Sequence, residues 1–187
     1  CENCKNAEKD AEIFNKAAEA LQGKNVLIFS AKEENYKGVA ASAVLAYGQK
    51  VGAESSVDIN LAKQLNVLIS QVGVDMGNIV MNVGTATAGY GFEYVVSTLD
   101  RIKAAALGQD DAQLQMPIMT SVGDETWGVK ESMASEADVP AWGPVDARGV
   151  NMEVTTAMAV LASGSNAVIL KHPTSVATVS KLIKELM

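Results

Sequence analysis

Hydrophobic and polar positions change their period within one stretch, residues 78–106, and this stretch sets the pattern for the chain. A short apolar run, residues 79–81, leads into a loop rich in Gly and Thr that ends at Gly91. From Phe92 onwards apolar residues recur at three- and four-residue steps, which places them on one face of a helix that ends at Leu107. The pattern predicts a strand, a glycine-lined loop and a helix. In parallel α/β proteins such a loop leaves the carboxyl end of a strand, where small residues let the backbone approach a ligand.

The same alternation recurs along the whole chain. Apolar runs of strand length are found at residues 25–31, 50–55, 79–81, 117–121 and 167–171. The run at 50–55 is the weaker pattern, because Gly52 interrupts it. Helical periodicity is found at residues 6–22, 36–46, 58–73 and 92–107, and again from Asn151 and from Thr174. Asp58 is predicted to cap the third of these helices. The order is α(βα)5, which implies parallel strands joined by right-handed crossovers.

Two architectures fit this order. Five strands can form a doubly wound sheet, or they can be the last five units of an eight-unit barrel whose first three units are absent. Both place function at the carboxyl ends of the strands. At 187 residues the chain is expected to be a single α/β domain, residues 1–187.

One irregular region, residues 123–149, contains both Trp residues, Trp127 and Trp142. Loops of this length are usually functional or disordered, and two tryptophans favour an ordered loop that packs against a ligand or a partner. A helical segment is predicted within it at residues 125–135.

Charge and composition exclude several classes of function. The net charge of −7 opposes binding to nucleic acid and to anionic lipid, and no basic patch offsets it. No apolar run approaches the roughly 18 residues of a membrane span, and no signal peptide opens the chain, which predicts a cytoplasmic protein. The chain begins at Cys1 with a helix and no preceding strand, so we expect it to be a fragment.

The residues show no evident catalytic set. Cys1 and Cys4 have CxxC spacing, but no further Cys completes a zinc or iron–sulfur site, so no metal is assigned. His172 has no acidic neighbour in sequence and is interpreted as a turn residue. The loop 84–91 lacks the Lys of a P-loop and the spacing of a dinucleotide fingerprint.

Asn82, Asp58 and Asn60 follow strand ends and could hydrogen-bond a heterocycle, although capping explains Asp58 equally well. Glu33, Glu93, Glu125 and Glu153 are too scattered to predict a carboxylate pair. Such a chain suits a subunit that presents a surface to a reactive cofactor.

Several strings together resemble one known family. They are SVDINLAKQLNVLI from Ser56, GYGFEYVVSTLDRIKAAAL from Gly89, LQMPIM from Leu114, ETWGVKESMASEADVPAWG from Glu125 and AVILKHP from Ala167. The chain resembles the small, or delta, subunit of the corrinoid iron–sulfur protein of the carbon monoxide dehydrogenase/acetyl-CoA synthase system. The resemblance covers nearly the whole chain in order.

The resemblance implies a TIM barrel, of which this chain would be an amino-terminally truncated piece with the last five units. It implies a large (gamma) subunit that holds an iron–sulfur cluster, and a corrinoid (cobalamin) at the interface of the two subunits, so that this chain alone binds no cofactor. The corrinoid takes a methyl group from a methyl-pterin and passes it to acetyl-CoA synthase, so the synthase and methyltransferase components are further expected partners. No catalytic residue is implied. The implied corrinoid-facing residues are Ser30, Asn35, Ser56, Asp58, Asn82, Thr85, Thr87, Gly89, Tyr90, Ser121, Gly123, Trp127 and His172.

The chain departs from the family's pattern at two strand ends. Asn82-Val83 stands where the family has Asp-Pro, and Val57 stands where a Pro is usual. The change from Asp to Asn removes a charge, which argues against an acid role for Asn82. If upstream units are missing, the piece would carry two open sheet edges.

Two other functions compete with this interpretation. A pterin-dependent TIM-barrel methyltransferase that acts by itself would share the architecture and use Asp and Asn at strand ends. A flavodoxin-like domain would bind flavin and give a yellow protein.

Overall fold

The computed structural model describes residues 6–186 and shows an α/β protein whose strand pairings are parallel throughout that range. The strands are β1 (Leu27–Ala31), β2 (Lys50–Glu54), β3 (Ile79–Asn82), β4 (Met119–Ser121) and β5 (Ala167–Ile169). The helices are α1 (Ala7–Ala20), α2 (Tyr36–Val39), α3 (Ile59–Gln71), α4 (Phe92–Gly108), α5 (Val122–Thr126), α6 (Lys130–Met133), α7 (Val145–Ala162) and α8 (Pro173–Leu186). Strands and helices alternate as predicted, and the parallel α/β class is confirmed.

Some predicted boundaries are wrong. The segment 36–46 is α-helical only in α2 and continues as a π-helix over Ala40–Ala46. The predicted helix 125–135 is two short helices, α5 and α6, because Gly128 follows the end of the first and Val129 is extended, with φ −87° and ψ 156°. Helix α7 begins at Val145 and not at Asn151, so the region 123–149 is less irregular than its composition suggests.

The chain divides into two compact units. The first comprises the described residues up to Val83 together with Arg101–Ile118, and its sheet has the order β1-β2-β3. The second comprises Gly84–Asp100 and the described residues from Met119 onwards, and it contains the β4-β5 pair. The expectation of a single domain stays a prediction.

Strand β2 lies in the middle of the first sheet despite its weak sequence pattern. Its Gly52 pairs with Val80 of β3. A Cβ at Gly52 would lie 2.5 Å from a ring carbon of Phe29 and 2.9 Å from Cβ of Ser30. The glycine that weakens the strand pattern is therefore the residue that lets β1 pack beside β2.

The core of the first unit consists of aliphatic side chains on α3, the three strands and the end of α4. Asp58 caps α3 as predicted, since its side chain accepts from two amides of the first turn. Among the largest fully buried side chains in this unit are Val51, Leu65, Ile69, Ile79, Met81 and Ile102. Each contributes on the order of 1.5–3 kcal/mol through burial of apolar area.

Helix α7 is the central element of the second unit. It packs against α5, α6, α8 and β5. Ala157 and Val160 of α7 are fully buried, and Val179 of α8 is 3% exposed. Beside β4, the hydroxyls of Thr120 and Ser165 lie 2.9 Å apart.

Three further sequence predictions concern the barrel, the two cysteines and membrane-spanning segments. Within residues 6–186 no closed barrel is formed by the strand pairing, so the predicted TIM barrel is not confirmed. Cys1 and Cys4 lie outside the described residues. No helix in the described part of the chain combines the length and the apolar character that a membrane crossing requires.

Gln49 generates a stability prediction, because this fully buried side chain satisfies three backbone groups. Its Oε1 accepts from Val26 N at 2.7 Å, and its Nε2 donates to the carbonyls of Leu21 and Ala18 at 2.9 and 3.4 Å. Gln49→Met removes all three bonds and leaves Val26 N without its acceptor, although Leu21 O keeps the amide of Lys24 as a donor. The variant is expected to lower the free energy of unfolding by about 1–3 kcal/mol in urea denaturation. The control Gln64→Met, at an exposed position of α3, should change it by less than about 0.5 kcal/mol. Equal losses for both variants would contradict the role given to Gln49.

Candidate functional site

Polar side chains meet where the three strands of the first unit end. Ser30 lies in β1, Glu54 is the last residue of β2 and Asn82 is the last residue of β3. The Ser30 hydroxyl donates to Glu54 Oε2 at 2.6 Å and accepts from Asn82 Nδ2 at 3.1 Å. The three side chains form one chain of hydrogen bonds that crosses the sheet and ends on a carboxylate.

Glu54 is the anionic end of this chain. Its Oε1 lies 3.2 Å from Lys32 Nζ, and its side chain is 14% exposed. A hydroxyl, an amide, a carboxylate and an ammonium group therefore converge at one edge of the sheet. Ser30 and Asn82 are 2% and 4% exposed, so the Lys32 donor and the Glu54 acceptor are the groups that a polar ligand can reach. Glu54 was not predicted as a site residue, because it lies in the strand with the weakest sequence pattern. Its position near the carboxyl end of the predicted strand 50–55 was the available signal.

Two other predicted residues of this unit bind the local backbone through their side chains, and a third, Ser56, is exposed. Asn35 Oδ1 accepts from Lys32 N at 2.8 Å and closes the turn that leaves β1. The Asp58 side chain is occupied as the cap of α3. Ser56 is exposed and has a φ of 47°, in the left-handed region.

Val57 follows in the same left-handed region, with a φ of 64°. Its amide donates to Val83 O at 2.6 Å. A β-branched residue at positive φ is a genuine outlier that costs on the order of 1–3 kcal/mol. Proline has a φ near −65° and cannot adopt this conformation. A Pro, which the resemblance leads us to expect at this position, would therefore exclude the loop backbone that Val57 adopts at this strand end.

The glycine-rich loop, residues 84–91, lies in the second unit. Its residues at positive φ are Gly84, Gly89 and Gly91, with φ of 72°, 92° and 83°. Thr87 is 1% exposed, and the Thr85 hydroxyl donates to the carbonyl of the next residue at 3.4 Å. At least one of the two predicted threonines thus points into the protein.

Two contacts attach this loop to helices of its unit. Ala88 N donates to Thr156 Oγ1 of α7 at 3.1 Å. The Tyr90 hydroxyl donates to the carboxylate of Glu131 in α6. Tyr90 remains 47% exposed, so its ring is available to a ligand or partner while its hydroxyl is fixed.

Trp127 and His172 are brought together by the fold. Their rings stack with centroids 5.7 Å apart and planes at 21°. Gly149 of α7 lies under the indole, because a Cβ there would be 2.3 Å from a ring carbon of Trp127. A small residue in α7 therefore makes room for the tryptophan that follows β4 and α5.

Glu153 organises the loop after β5. This residue of α7 has no exposed surface, and its carboxylate accepts from Lys171 N at 2.6 Å and His172 N at 3.3 Å. Gly123, a predicted ligand-facing residue, is buried beside it, since a Cβ there would be 2.9 Å from Glu153 Oε1. The carboxylate fills the place where a bound anion would accept from these amides.

The hydrogen bonds of His172 define its tautomer. Its Nδ1 accepts from Thr174 N at 3.1 Å, so Nδ1 carries no hydrogen and the neutral ring carries it on Nε2. The side chain is half-buried. His172 is thus arranged as a hydrogen-bond donor and not as a metal ligand through Nε2.

A pocket of about 330 Å³ opens at these residues and is lined by Trp127, Met133, Lys171 and His172. The Lys171 ammonium lies 2.7 Å from Asp124 Oδ1.

Ser121, another predicted residue, is the last of β4 and immediately precedes α5. In the described part of the chain no group of three or more His, Cys, Asp or Glu side chains is placed to hold a metal ion.

Arg148 holds the segment before α7 in place. Its Nε donates to Gly143 O at 3.1 Å, Nη2 to Ala134 O at 2.7 Å, and Nη1 to Glu131 O. One guanidinium thus binds three carbonyls from a stretch with little regular structure. The predicted ordered loop at 123–149 owes much of its order to this residue, which sequence analysis missed because its partners are backbone atoms.

The sequence matches the family described as "CO dehydrogenase/acetyl-CoA synthase delta subunit" over residues 4–180. The chain belongs to this delta subunit family. It is 34% identical to acetyl-CoA decarbonylase/synthase complex subunit delta 1 of Methanosarcina thermophila, covering 97% of this chain and 42% of that protein. It is 32% identical to subunit delta of Archaeoglobus fulgidus, covering 97% and 40%. It is 35% identical to subunit delta of Methanothermobacter thermautotrophicus, covering 96% and 44%. The chain spans less than half the length of these curated relatives.

The predicted site residues of this delta-subunit family chain fall into two sets, one in each unit. The structure joins Ser30 to Asn82 in the first unit and Trp127 to His172 in the second. Glu54 and Glu153 complete these sets, and sequence analysis assigned a site role to neither. That these residues face a cofactor stays a prediction.

Substitution of Glu153 tests the role of its buried carboxylate. Glu153→Gln keeps one acceptor oxygen but points an amide N–H₂ group at a backbone N–H. The free energy of unfolding, measured in urea, is expected to fall by about 1–3 kcal/mol. The exposed control Glu93→Gln should leave it nearly unchanged. A loss no larger than that of the control would contradict the capping role of Glu153.

The pair of Tyr90 and Glu131 generates a prediction about pH. Their hydrogen bond raises the pKa of Tyr90 and lowers the pKa of Glu131. The contribution of Tyr90 is therefore present below the ordinary pKa of tyrosine, about 10, and is lost as pH rises through its raised value. The contribution of Glu131 is present above its ordinary pKa, about 4.3, and is lost as pH falls through its lowered value.

In an absorbance titration of tyrosinate, Glu131→Gln should therefore move the ionisation of one tyrosine to lower pH. The variant Glu125→Gln, which changes an exposed carboxylate one helix away, should reproduce the wild-type curve. Superimposable curves for wild type and Glu131→Gln would show that the pair does not form in solution.

Proposed function

We propose that this chain is part of a subunit that covers a corrinoid, carried by a large iron–sulfur partner subunit, during methyl transfer from a methyl-pterin to acetyl-CoA synthase. Membership of the delta subunit family carries the proposal, because the relatives are named as delta subunits of the acetyl-CoA decarbonylase/synthase complex. The corrinoid supplies the reactivity when it is bound. This chain contributes orientation and the exclusion of water, and we assign no catalytic residue to it.

The architecture that we propose for the complete subunit is a TIM barrel, to which this chain contributes the last five strand–helix units. The parallel pairings and the regular alternation of strands and helices support this proposal. The greater length of the relatives also supports it, since they are long enough to supply the first three units. In such a barrel all the strand-end loops lie on one face, where ligands bind.

The surface around Trp127 fits one edge of a large macrocycle. Its pocket of about 330 Å³ is smaller than a corrin ring with its side chains and would receive only part of it. Trp127 and Met133 offer apolar surface that excludes water. The indole N–H of Trp127 is buried with no hydrogen-bond partner within residues 6–186, so we assign it no contact with the ligand.

His172 has a specific place in this proposal. Because its Nδ1 accepts from Thr174, its Nε2–H is a donor to carbonyl groups of the kind that amide side chains carry. Ligation of cobalt through Nε2 would require the other tautomer and the loss of this hydrogen bond. We therefore propose that His172 orients the cofactor's periphery and leaves its metal to the partner.

A second candidate function is a methyltransferase that binds the methyl-pterin itself. The observation that favours it is the chain of hydrogen bonds from Asn82 through Ser30 to Glu54. An amide and a carboxylate at adjacent strand ends offer the paired donors and acceptors that a pterin ring requires. This alternative predicts binding of methyl-pterin in the absence of the large subunit.

A reconstitution experiment separates the two functions. The gene product that carries this sequence is mixed with its large corrinoid subunit, and oxidation of the reduced cofactor is followed by absorbance. We expect complex formation and oxidation slowed at least several-fold. Trp127→Leu should lose part of this protection, whereas Leu107→Ala, at a residue that is 83% exposed, should retain it.

The same protein is then titrated with methyl-pterin in the absence of the large subunit. Weak or no binding is expected from a covering subunit. Tight binding, together with no protection of the corrinoid, would overturn the proposed function and favour the methyltransferase.

A further inference from the structure

A second pocket lies in the second unit, and it shares no lining residue with the Trp127 pocket. It has a volume of about 470 Å³ and is lined by Glu131, Trp142, Arg148, Asn151, Met152 and Thr155. Four of these residues, at spacings of one, three and four, come from one face of α7. None of them belongs to the proposed corrinoid surface.

The exposed indole of Trp142 forms one wall of this pocket. Trp142 is 42% exposed, although it lies in a turn of 3₁₀-helix, Pro140–Trp142, within an ordered segment. Lys130 Nζ lies 5.6 Å and the Arg148 guanidinium carbon 5.8 Å from the ring centroid. These cation–π contacts hold the ring in position while leaving much of its surface exposed to solvent.

The pocket is formed before any partner binds. Arg148 donates to the carbonyls of Glu131, Ala134 and Gly143, which fixes the backbone on both sides of Trp142. The carboxylate of Glu131 accepts from Tyr90 and is therefore also held. A rigid, preformed pocket avoids the entropic cost of ordering loops on binding.

The surface around the pocket has the composition of a protein-binding hot spot. Such spots are enriched in Trp, Tyr and Arg at the centre of an interface. Tyr90, which is bound to Glu131, is 47% exposed, and Met133, one turn of α6 from Lys130, is 58% exposed. The Tyr90 ring thus adds exposed aromatic surface beside the lining residue Glu131, while Met133 belongs to the lining of the Trp127 pocket.

The charges beside the pocket indicate what kind of group would bind there. Within the described residues Lys130 forms no salt bridge, although its charge lies near Glu131 and helps to lower the pKa of that carboxyl after the larger effect of Tyr90. Arg148 is bound to neutral carbonyls and forms no salt bridge within residues 6–186. Two cations therefore lie beside a largely apolar pocket whose one lining carboxylate, Glu131, is occupied by Tyr90, on a chain whose net charge is −7.

We propose that this pocket anchors the partner subunit by receiving one apolar or aromatic side chain that has a carboxylate beside it in the partner's surface. The apolar group would fill the space between Trp142 and Met152, and the carboxylate would approach Lys130. The inference rests on the proposed function, because it takes the large corrinoid subunit as the partner. It adds the position and the chemistry of the anchor.

Surface plasmon resonance with immobilised large subunit tests the anchor. Trp142→Ala is expected to weaken binding about tenfold or more. Lys130→Gln should weaken it a few-fold, by an amount that shrinks as salt is raised. The controls are Leu107→Ala, an exposed apolar truncation outside this unit, and Lys24→Gln, an exposed charge removal; both should bind as wild type does. Circular dichroism and the more conservative Trp142→Leu separate a lost anchor from a lost fold.

The outcomes distinguish this inference from the proposed function. Wild-type protein that fails to bind the large subunit overturns both. Binding that is intact in wild type and unchanged in folded Trp142→Ala and Trp142→Leu overturns the anchor alone. A change in self-association of the chain with Trp142→Ala, seen by analytical ultracentrifugation without a change in binding to the large subunit, would assign the pocket to a second copy and also overturn it.

Discussion

The second unit depends on the hydrogen bonds that the Glu153 carboxylate accepts from backbone N–H groups. A carboxylate with no exposed surface is costly unless hydrogen bonds replace its hydration, and the amides of Lys171 and His172 provide them. These bonds fix the loop that leaves β5, and that loop positions His172 against Trp127. A buried charge in the middle of α7 thereby determines the geometry of an aromatic surface at the strand ends.

The first unit uses a carboxylate at its strand ends in a different way. Glu54 keeps part of its side chain exposed and accepts from the Ser30 hydroxyl, not from backbone amides. Its interactions are therefore with side chains that a ligand could replace or join. Both carboxylates lie near the ends of parallel strands. Glu153 has a structural role, whereas the surroundings of Glu54 suit binding.

The alternation of apolar runs and helical periods was sufficient to predict the class of fold. Five strand segments and the helices between them were located because buried parallel strands are continuous apolar runs and their helices carry an apolar stripe. Local signals placed the cap of α3 correctly at Asp58. Boundaries failed in the region 123–149, where short helices have no period long enough to detect and where Arg148 supplies the order through carbonyls distant in sequence.

The sequence by itself determined the parallel α/β class, the approximate positions of the five strands and, through its motifs, the delta subunit family. It determined these because periodicity and motifs are local properties of the chain. Only the tertiary structure decided which side chains meet. The hydrogen bonds that link Ser30 with Asn82, and the stacking of Trp127 on His172, join residues that are far apart in sequence. Hydrogen bonds and ring contacts depend on distances of a few ångströms, and only the packed backbone sets those distances.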